Sequence, residues 1–179
     1  MKTTDKKSPI KELVRYSIGK DDFFYIKFND MPIKTDVIVA FLLSEFYKKS
    51  YGQRDFLSRN GKLYLKDRFK FFSLSNKKDT AVVIFSNKDI GIDMEIVQKK
   101  PNYLKIAEKY FYPDETNYLR KAPNDGERLN RFYAIWTKKE AYVKLSGKGL
   151  PDLRKINTTK KNISTYKIGD IVFSVAKEL

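Results

Sequence analysis

Pro101 marks a change of texture in this chain, and the change limits which architectures it can adopt. Before Pro101, short apolar runs are broken by turn residues, the pattern of strands. After it, apolar residues recur at helical spacing. Leu13 to Tyr16 and Phe23 to Ile26 read as two short strands around the turn Gly19-Lys20-Asp21-Asp22. Thr35-Asp36 offers an N-cap for a helix to about Tyr51, with Val37, Phe41, Leu42 and Phe46 at helical spacing. Extended pieces follow at Asp55 to Ser58, at Lys62 to Leu65 behind the Asn60-Gly61 turn, and at Phe69 to Ser75. Thr80 to Ser86 and Ile90 to Val97, joined at Asn87-Lys88-Asp89, read as a hairpin. Beyond Pro101 come helices at Tyr103 to Phe111, Pro113 to about Lys121, and about Asp125 to Ser146, the last ended by Gly147 and Gly149. A final hairpin pairs Ile163 to Lys167 with Ile171 to Ala176 through Gly169-Asp170. Each half contains a helix and ends in a hairpin. The expectation is an α+β fold of two similar halves, residues 1–97 and 98–179, with a site between them.

The residues that are missing narrow the chemistry. The chain has no histidine and no cysteine. That excludes Ser-His and Cys-His nucleophiles, thiol redox centres and Cys/His zinc sites. Oxygen-ligand metal chemistry and acid-base work by carboxylate or lysine remain open. The formal net charge of +15 favours an anionic partner. Its lysines are scattered as pairs such as Lys48-Lys49, Lys77-Lys78 and Lys160-Lys161, which is not the stripe of a DNA-groove binder. No apolar run approaches the eighteen residues of a membrane span, and Met1 to Lys7 lack a signal core. With no cysteine, these features lead to an expected cytoplasmic location.

Two segments carry the candidate chemistry. In Gly91-Ile92-Asp93-Met94-Glu95, strand alternation places Asp93 and Glu95 on the face of Gly91, opposite Ile90, Ile92, Met94 and Ile96. Two neighbouring carboxylates suit a hard divalent cation; they equally suit a wet acidic strand face. In the second segment, Trp136 to Lys144, a helical stripe of Leu129, Phe132, Tyr133, Trp136, Val143 and Gly147 includes Glu140, with Lys144 at its edge. An acid among core positions is costly unless it is paired or metal-bound, so Glu140 is a functional candidate; a surface pair with Lys144 is the plain alternative. Lys138 and Lys139 read as solvated, and Trp136 as an anchor for the helix.

Gly-Ile-Asp-x-Glu at residues 91–95, then Trp136, Lys139, Glu140, Ala141 and Lys144, then Gly147-Lys148-Gly149-Leu150, resembles the 4'-phosphopantetheinyl transferase superfamily. The mid-chain position of the first block is similar to the surfactin-synthetase-activating (Sfp) type, a monomer of two similar halves. Gly61-Lys62-Leu63-Tyr64 and Phe72-Ser73-Leu74-Ser75-Asn76 are similar to that type's Gly-Lys-Pro-Tyr and Phe-x-x-Ser-His segments. The resemblance implies a pseudo-dimeric fold that transfers phosphopantetheine from coenzyme A to a serine of an acyl or peptidyl carrier protein, releasing adenosine 3',5'-bisphosphate. It implies Mg2+ held by Asp93, Glu95 and Glu140, and Lys144 on the leaving phosphate. Glu140, directly or through water, is its candidate base. It implies that Lys62, Ser75 and Asn76 meet the nucleotide end of coenzyme A. Asn76 stands in place of a histidine, and neighbouring Lys77 can compensate. Lys34 and Lys48 are candidates for the basic cluster ahead of the first helix, and Tyr103 to Tyr118 for carrier docking. A transferase-like protein without activity and a basic nucleic-acid binder are the rival readings.

Overall fold

A computed structural model describes residues 9–29, 33–148 and 151–178. The N-terminal Met1 to Lys7 and the Gly149-Leu150 end of the motif lie outside the described residues. Two antiparallel sheets form the centre. The first has the order β1-β2-β6-β5, built from β1 (Ile10–Ile18), β2 (Asp21–Phe28), β5 (Phe71–Lys77) and β6 (Thr80–Ser86). The second has the order β7-β9-β8, from β7 (Ile90–Ile96), β8 (Ile163–Ile168) and β9 (Ile171–Lys177). A separate two-stranded hairpin joins β3 (Phe56–Arg59) to β4 (Lys62–Leu65). The helices are α1 (Thr35–Tyr47), α2 (Tyr103–Tyr110), α3 (Pro113–Arg120) and α4 (Asp125–Ser146).

The fold is the α+β one expected. Strand alternation explains its layers. On β6, Ala81, Val83 and Phe85 face the core under α1 with Leu42, Leu43 and Val39, while Val82 and Ile84 face the second sheet. Both faces of β6 are therefore covered, which is why it reads as a continuous apolar run. On β7, Ile90, Ile92 and Met94 pack against the first sheet with Phe173 and Val175 of β9. The opposite face of the second sheet carries α4.

One expected hairpin is corrected. β6 pairs with β2 and β5, and β7 pairs with β9, so Thr80 to Ser86 and Ile90 to Ile96 lie in different sheets. The true hairpin is β5-β6, turned at Lys78, whose φ is +50°. The strand before Pro101 thus completes the sheet that carries the C-terminal hairpin. The first helix stops at Tyr47 rather than near Tyr51, because Lys48 adopts a left-handed conformation (φ 54°) and its N–H donates to the Leu43 carbonyl. No helix among the described residues is long and apolar enough to cross a membrane.

Candidate functional site

The site forms where the edge strands β5 and β7 meet and α4 crosses them. Ser73, Ser75 and Lys77 alternate along one face of β5 and each reaches β7. The Ser73 hydroxyl accepts the Ile92 N–H at 3.0 Å, the Ser75 hydroxyl donates to Asp93 Oδ1 at 2.9 Å, and Lys77 Nζ pairs with Glu95 Oε1 at 3.0 Å. This side-chain ladder joins the two sheets at their edges.

Gly91 brings α4 in. A Cβ there would strike the Ala141 carbonyl oxygen and lie 2.5 Å from the Leu145 nitrogen, so only glycine admits the helix this close to β7. The register is held by Thr137, whose hydroxyl shares a 2.8 Å hydrogen bond with that of Ser174 on β9. Asn124 caps the helix start by accepting the Glu127 N–H at 2.8 Å, and Gly147 ends it with φ +59°.

The helix thereby sets Lys144 and Glu140 against β7. Lys144 Nζ donates to Asp93 Oδ1 at 2.8 Å and to the Leu74 carbonyl at 3.4 Å. Asp93 is only 5% exposed, and its second oxygen, Oδ2, is buried with no hydrogen-bond partner. A buried unpaired carboxylate oxygen is costly and marks a place where a cation or donor belongs. Glu140, one turn before Lys144, makes no hydrogen bond or ion pair among the described residues. Its carboxyl pKa is raised, first by burial and then by the negative charge of Asp93, with Glu95 adding to it; Lys144 and Lys77 oppose the rise. Asp93, Glu95 and Glu140 therefore share one electrostatic neighbourhood. Among the described residues they do not close into a three-carboxylate metal cage, and lysine amines stand on Asp93 and Glu95.

Lys62 lies on the other side of α4's end. Its amine reaches the Ile90 carbonyl at 3.2 Å, the Leu145 carbonyl at 3.5 Å and Asp89 at 3.5 Å. Burial lowers its pKa, and Asp89 partly restores it. A cavity of about 720 Å3 runs from Lys62 and Lys144 past Ser73 and Leu74 to Lys34 and Thr35 at the start of α1. That volume suits a cofactor-sized ligand. Lys34 thus joins the site, while Lys48 does not line this cavity. Ser75 commits its hydroxyl to Asp93, and Asn76 is exposed at the far end of β5.

Two readings of α4 are corrected. Lys139 is not solvated: it is fully buried and pairs with Glu115 at 2.7 Å, also donating to the Leu153 and Ile156 carbonyls at 2.9 and 2.6 Å. Glu115 is satisfied further by the Tyr112 and Thr158 N–H groups and the Thr158 hydroxyl. The buried set is also wider than one stripe, since Ile135, Thr137 and Ala141 are enclosed together with Phe132 and Tyr133. The helix lies between the second sheet and α2, α3 and the 153–160 turns, so most of its circumference is covered. The signal for Lys139 was its place on the row Phe132, Ile135, Lys139, at i, i+3 and i+7. Trp136 anchors as expected, stacked on Phe132 with centroids 6.2 Å apart. Tyr103 and Phe111 pack on Phe132 rather than facing outward, leaving Leu104 and Tyr118 as the exposed large apolar residues of α2 and α3.

The profile of the 4'-phosphopantetheinyl transferase superfamily matches residues 89–176, which span β7, α4 and β9 and so carry Asp93, Glu140 and Lys144. The chain belongs to the 4'-phosphopantetheinyl transferase superfamily. Among its relatives, a 4'-phosphopantetheinyl transferase of Bacillus subtilis is 32% identical over 143 residues, covering 78% of this chain and 59% of its own. The transferase HetI of Nostoc is 36% identical over 107 residues, covering 57% of this chain and 44% of its own. The Sfp transferase of Bacillus subtilis is 32% identical over 117 residues, covering 64% and 51%. The chain spans about half the length of the relatives it matches.

Proposed function

We propose that this chain is a holo-carrier-protein synthase, transferring 4'-phosphopantetheine from coenzyme A to a serine hydroxyl of an acyl or peptidyl carrier protein and releasing adenosine 3',5'-bisphosphate. The observation that carries the reading is the arrangement at Asp93: one oxygen holds Lys144 and Ser75, the other is buried and unpaired, and Glu140 stands nearby without a counter-cation. Attack on a pyrophosphate needs positioning and charge neutralisation more than covalent help, and a cluster of acids and amines beside a cofactor-sized cavity suits that.

The donor set fits a divalent cation such as Mg2+. Asp93 offers a buried free oxygen and Glu140 an unpaired carboxylate, both hard oxygen ligands; Glu95 would join them by giving up Lys77. When bound there, the cation neutralises charge on the pyrophosphate. In this reading Lys144 turns from Asp93 to the leaving phosphate, a charge-assisted contact. Glu140 is the candidate to receive the serine proton, directly or through water, a role it takes in place of holding the cation. The cavity from Lys62 to Lys34 takes the nucleotide end of coenzyme A, with Asn76 and Lys77 beyond it on β5.

The expected halves 1–97 and 98–179 shift with the strand pairing: the two sheets part between Ser86 and Ile90, with α1 on the first sheet and α4 on the second. A monomeric cytoplasmic enzyme steering an acidic carrier by its positive surface belongs to the same proposal. The test is direct. The protein is incubated with coenzyme A, Mg2+ and several apo-carrier proteins, and the carriers are weighed by mass spectrometry. A phosphopantetheine-sized gain supports the reading. No gain on acyl and peptidyl carriers, while an authentic transferase succeeds in parallel, rejects it.

A further inference from the structure

Behind the β3-β4 hairpin lies a second cavity, of about 830 Å3, that the proposed reaction does not use. Asn60, Phe72 and Gly147 form the wall between the two cavities, tied by the Asn60 amide donating to the Gly147 carbonyl at 2.9 Å. Its lining is strongly cationic. Arg59, Lys66, Arg68, Lys148 and Lys161 all face it, and among the described residues none of these side chains has a carboxylate partner. Lys70 and Lys177 add to the rim, held by Asn87 and Asp21. The two acids present are Asp89, which already faces Lys62 at 3.5 Å, and Glu178. The side chains of Arg59, Lys66, Arg68, Lys148 and Lys161 are solvent-exposed, and their gathering on the lining of one cavity raises the local positive potential, which favours an anion there.

We propose that this cavity is a second anion site for a small ligand carrying two or more phosphate groups, separate from the cavity beside Asp93. Two arginines provide forked donors suited to phosphate oxygens, and the lysines supply point charges around them. Tyr64, Phe71 and Tyr142 complete the wall.

Calorimetric titration of the full chain with inorganic tripolyphosphate at about 0.15 M salt, where long-range charge effects are screened, tests the site. Adenosine triphosphate titrated in parallel tells a free polyphosphate from a nucleotide's tail. The paired variant Arg59→Gln/Arg68→Gln is expected to weaken tripolyphosphate binding at least tenfold. Lys144→Gln, in the other cavity, is expected to leave a tripolyphosphate site of unchanged affinity. Lys20→Gln/Lys105→Gln removes the same two charges from exposed positions elsewhere and is expected to change binding less than twofold. Thermal melts check that every variant is folded. Equal weakening by the Lys20/Lys105 control, or loss of all binding in Lys144→Gln, overturns the proposal. These titrations involve no carrier protein or turnover, so they stand or fall independently of the transferase reading.

Discussion

Gly91→Ala links the fold to the site most directly. The added methyl meets backbone on α4: it overlaps the Ala141 carbonyl oxygen and lies 2.5 Å from the Leu145 nitrogen and 3.0 Å from the Leu145 Cα. Backbone atoms cannot rotate away as a side-chain tip can. To restore ordinary contact, α4 must retreat from β7 by at least about 1 Å, judged from those distances. Overpacking of this kind costs about 1–3 kcal/mol, and the upper end applies because two helix residues must move together. For a chain of this length, about 3 kcal/mol corresponds to a fall in Tm of roughly 6–12 °C. The same retreat lengthens the 2.8 Å contact between Lys144 and Asp93 and draws Glu140 away from it. A misplacement of about 1 Å lowers turnover by roughly 100-fold. Thermal and urea unfolding followed by circular dichroism, with carrier modification measured well below the variant's Tm, reads both effects. A Gly91→Ala variant melting within about 2 °C of the parent, or melting low but turning over at full rate, would refute the claim that this glycine sets the helix-strand distance on which the site depends.

Other outcomes follow from the same geometry. Glu140→Gln is expected to raise stability at neutral pH by on the order of 1 kcal/mol while abolishing turnover. The sign follows from the raised pKa: the folded state binds the Glu140 proton more tightly than the unfolded state, so the parent loses stability as pH rises through the folded pKa. The variant's advantage should disappear below about pH 4, where the carboxyl is protonated in both states; an advantage that persists at low pH refutes this. Lys139→Met leaves Glu115 charged and buried without its amine, and should cost about 3–5 kcal/mol in urea unfolding. Adding Glu115→Gln should recover part of that loss, and a strictly additive double variant would show the pair is not coupled. Asp93→Asn should remove calorimetric Mg2+ binding, whereas Lys77→Met, which frees Glu95, should leave it intact or tighten it. Equal Mg2+ affinity in the parent and Asp93→Asn would exclude Asp93 as a ligand.

Much of the local structure could be read along the chain. The span of α4 could be read as about Asp125 to Ser146 with its end at Gly147, which acts within one helical turn, whereas the Asn124 cap at its start emerged only in the structure. The β1-β2 and β8-β9 hairpins came from Gly19 and Gly169, both at positive φ in tight turns. The alternation of Asp93 and Glu95 against Ile90, Ile92 and Met94 held because side-chain period in a strand is a property of the backbone alone. The apolar wheel of α4 was only half right, because a wheel assumes one covered face and this helix is covered on most of its circumference.

Sequence by itself determined the elements, the strand face of the carboxylates and the presence of an acid inside a buried helix, because each depends on residues a few positions apart, and the motif that signals the superfamily, because that depends only on residue type and order along the chain. Tertiary structure alone decided that β7 leaves β6 to pair with β9, since either pairing satisfies the same backbone hydrogen bonds and only packing chooses between them. It decided that Lys139 is buried, since a lysine is enclosed only where a distant acid and free carbonyls await it. It also decided how Asp93 divides its two oxygens, one to Ser75 and Lys144 from 18 and 51 residues away and one to nothing. Hydrogen-bond partners so far apart in the chain meet only after the sheets and α4 have packed.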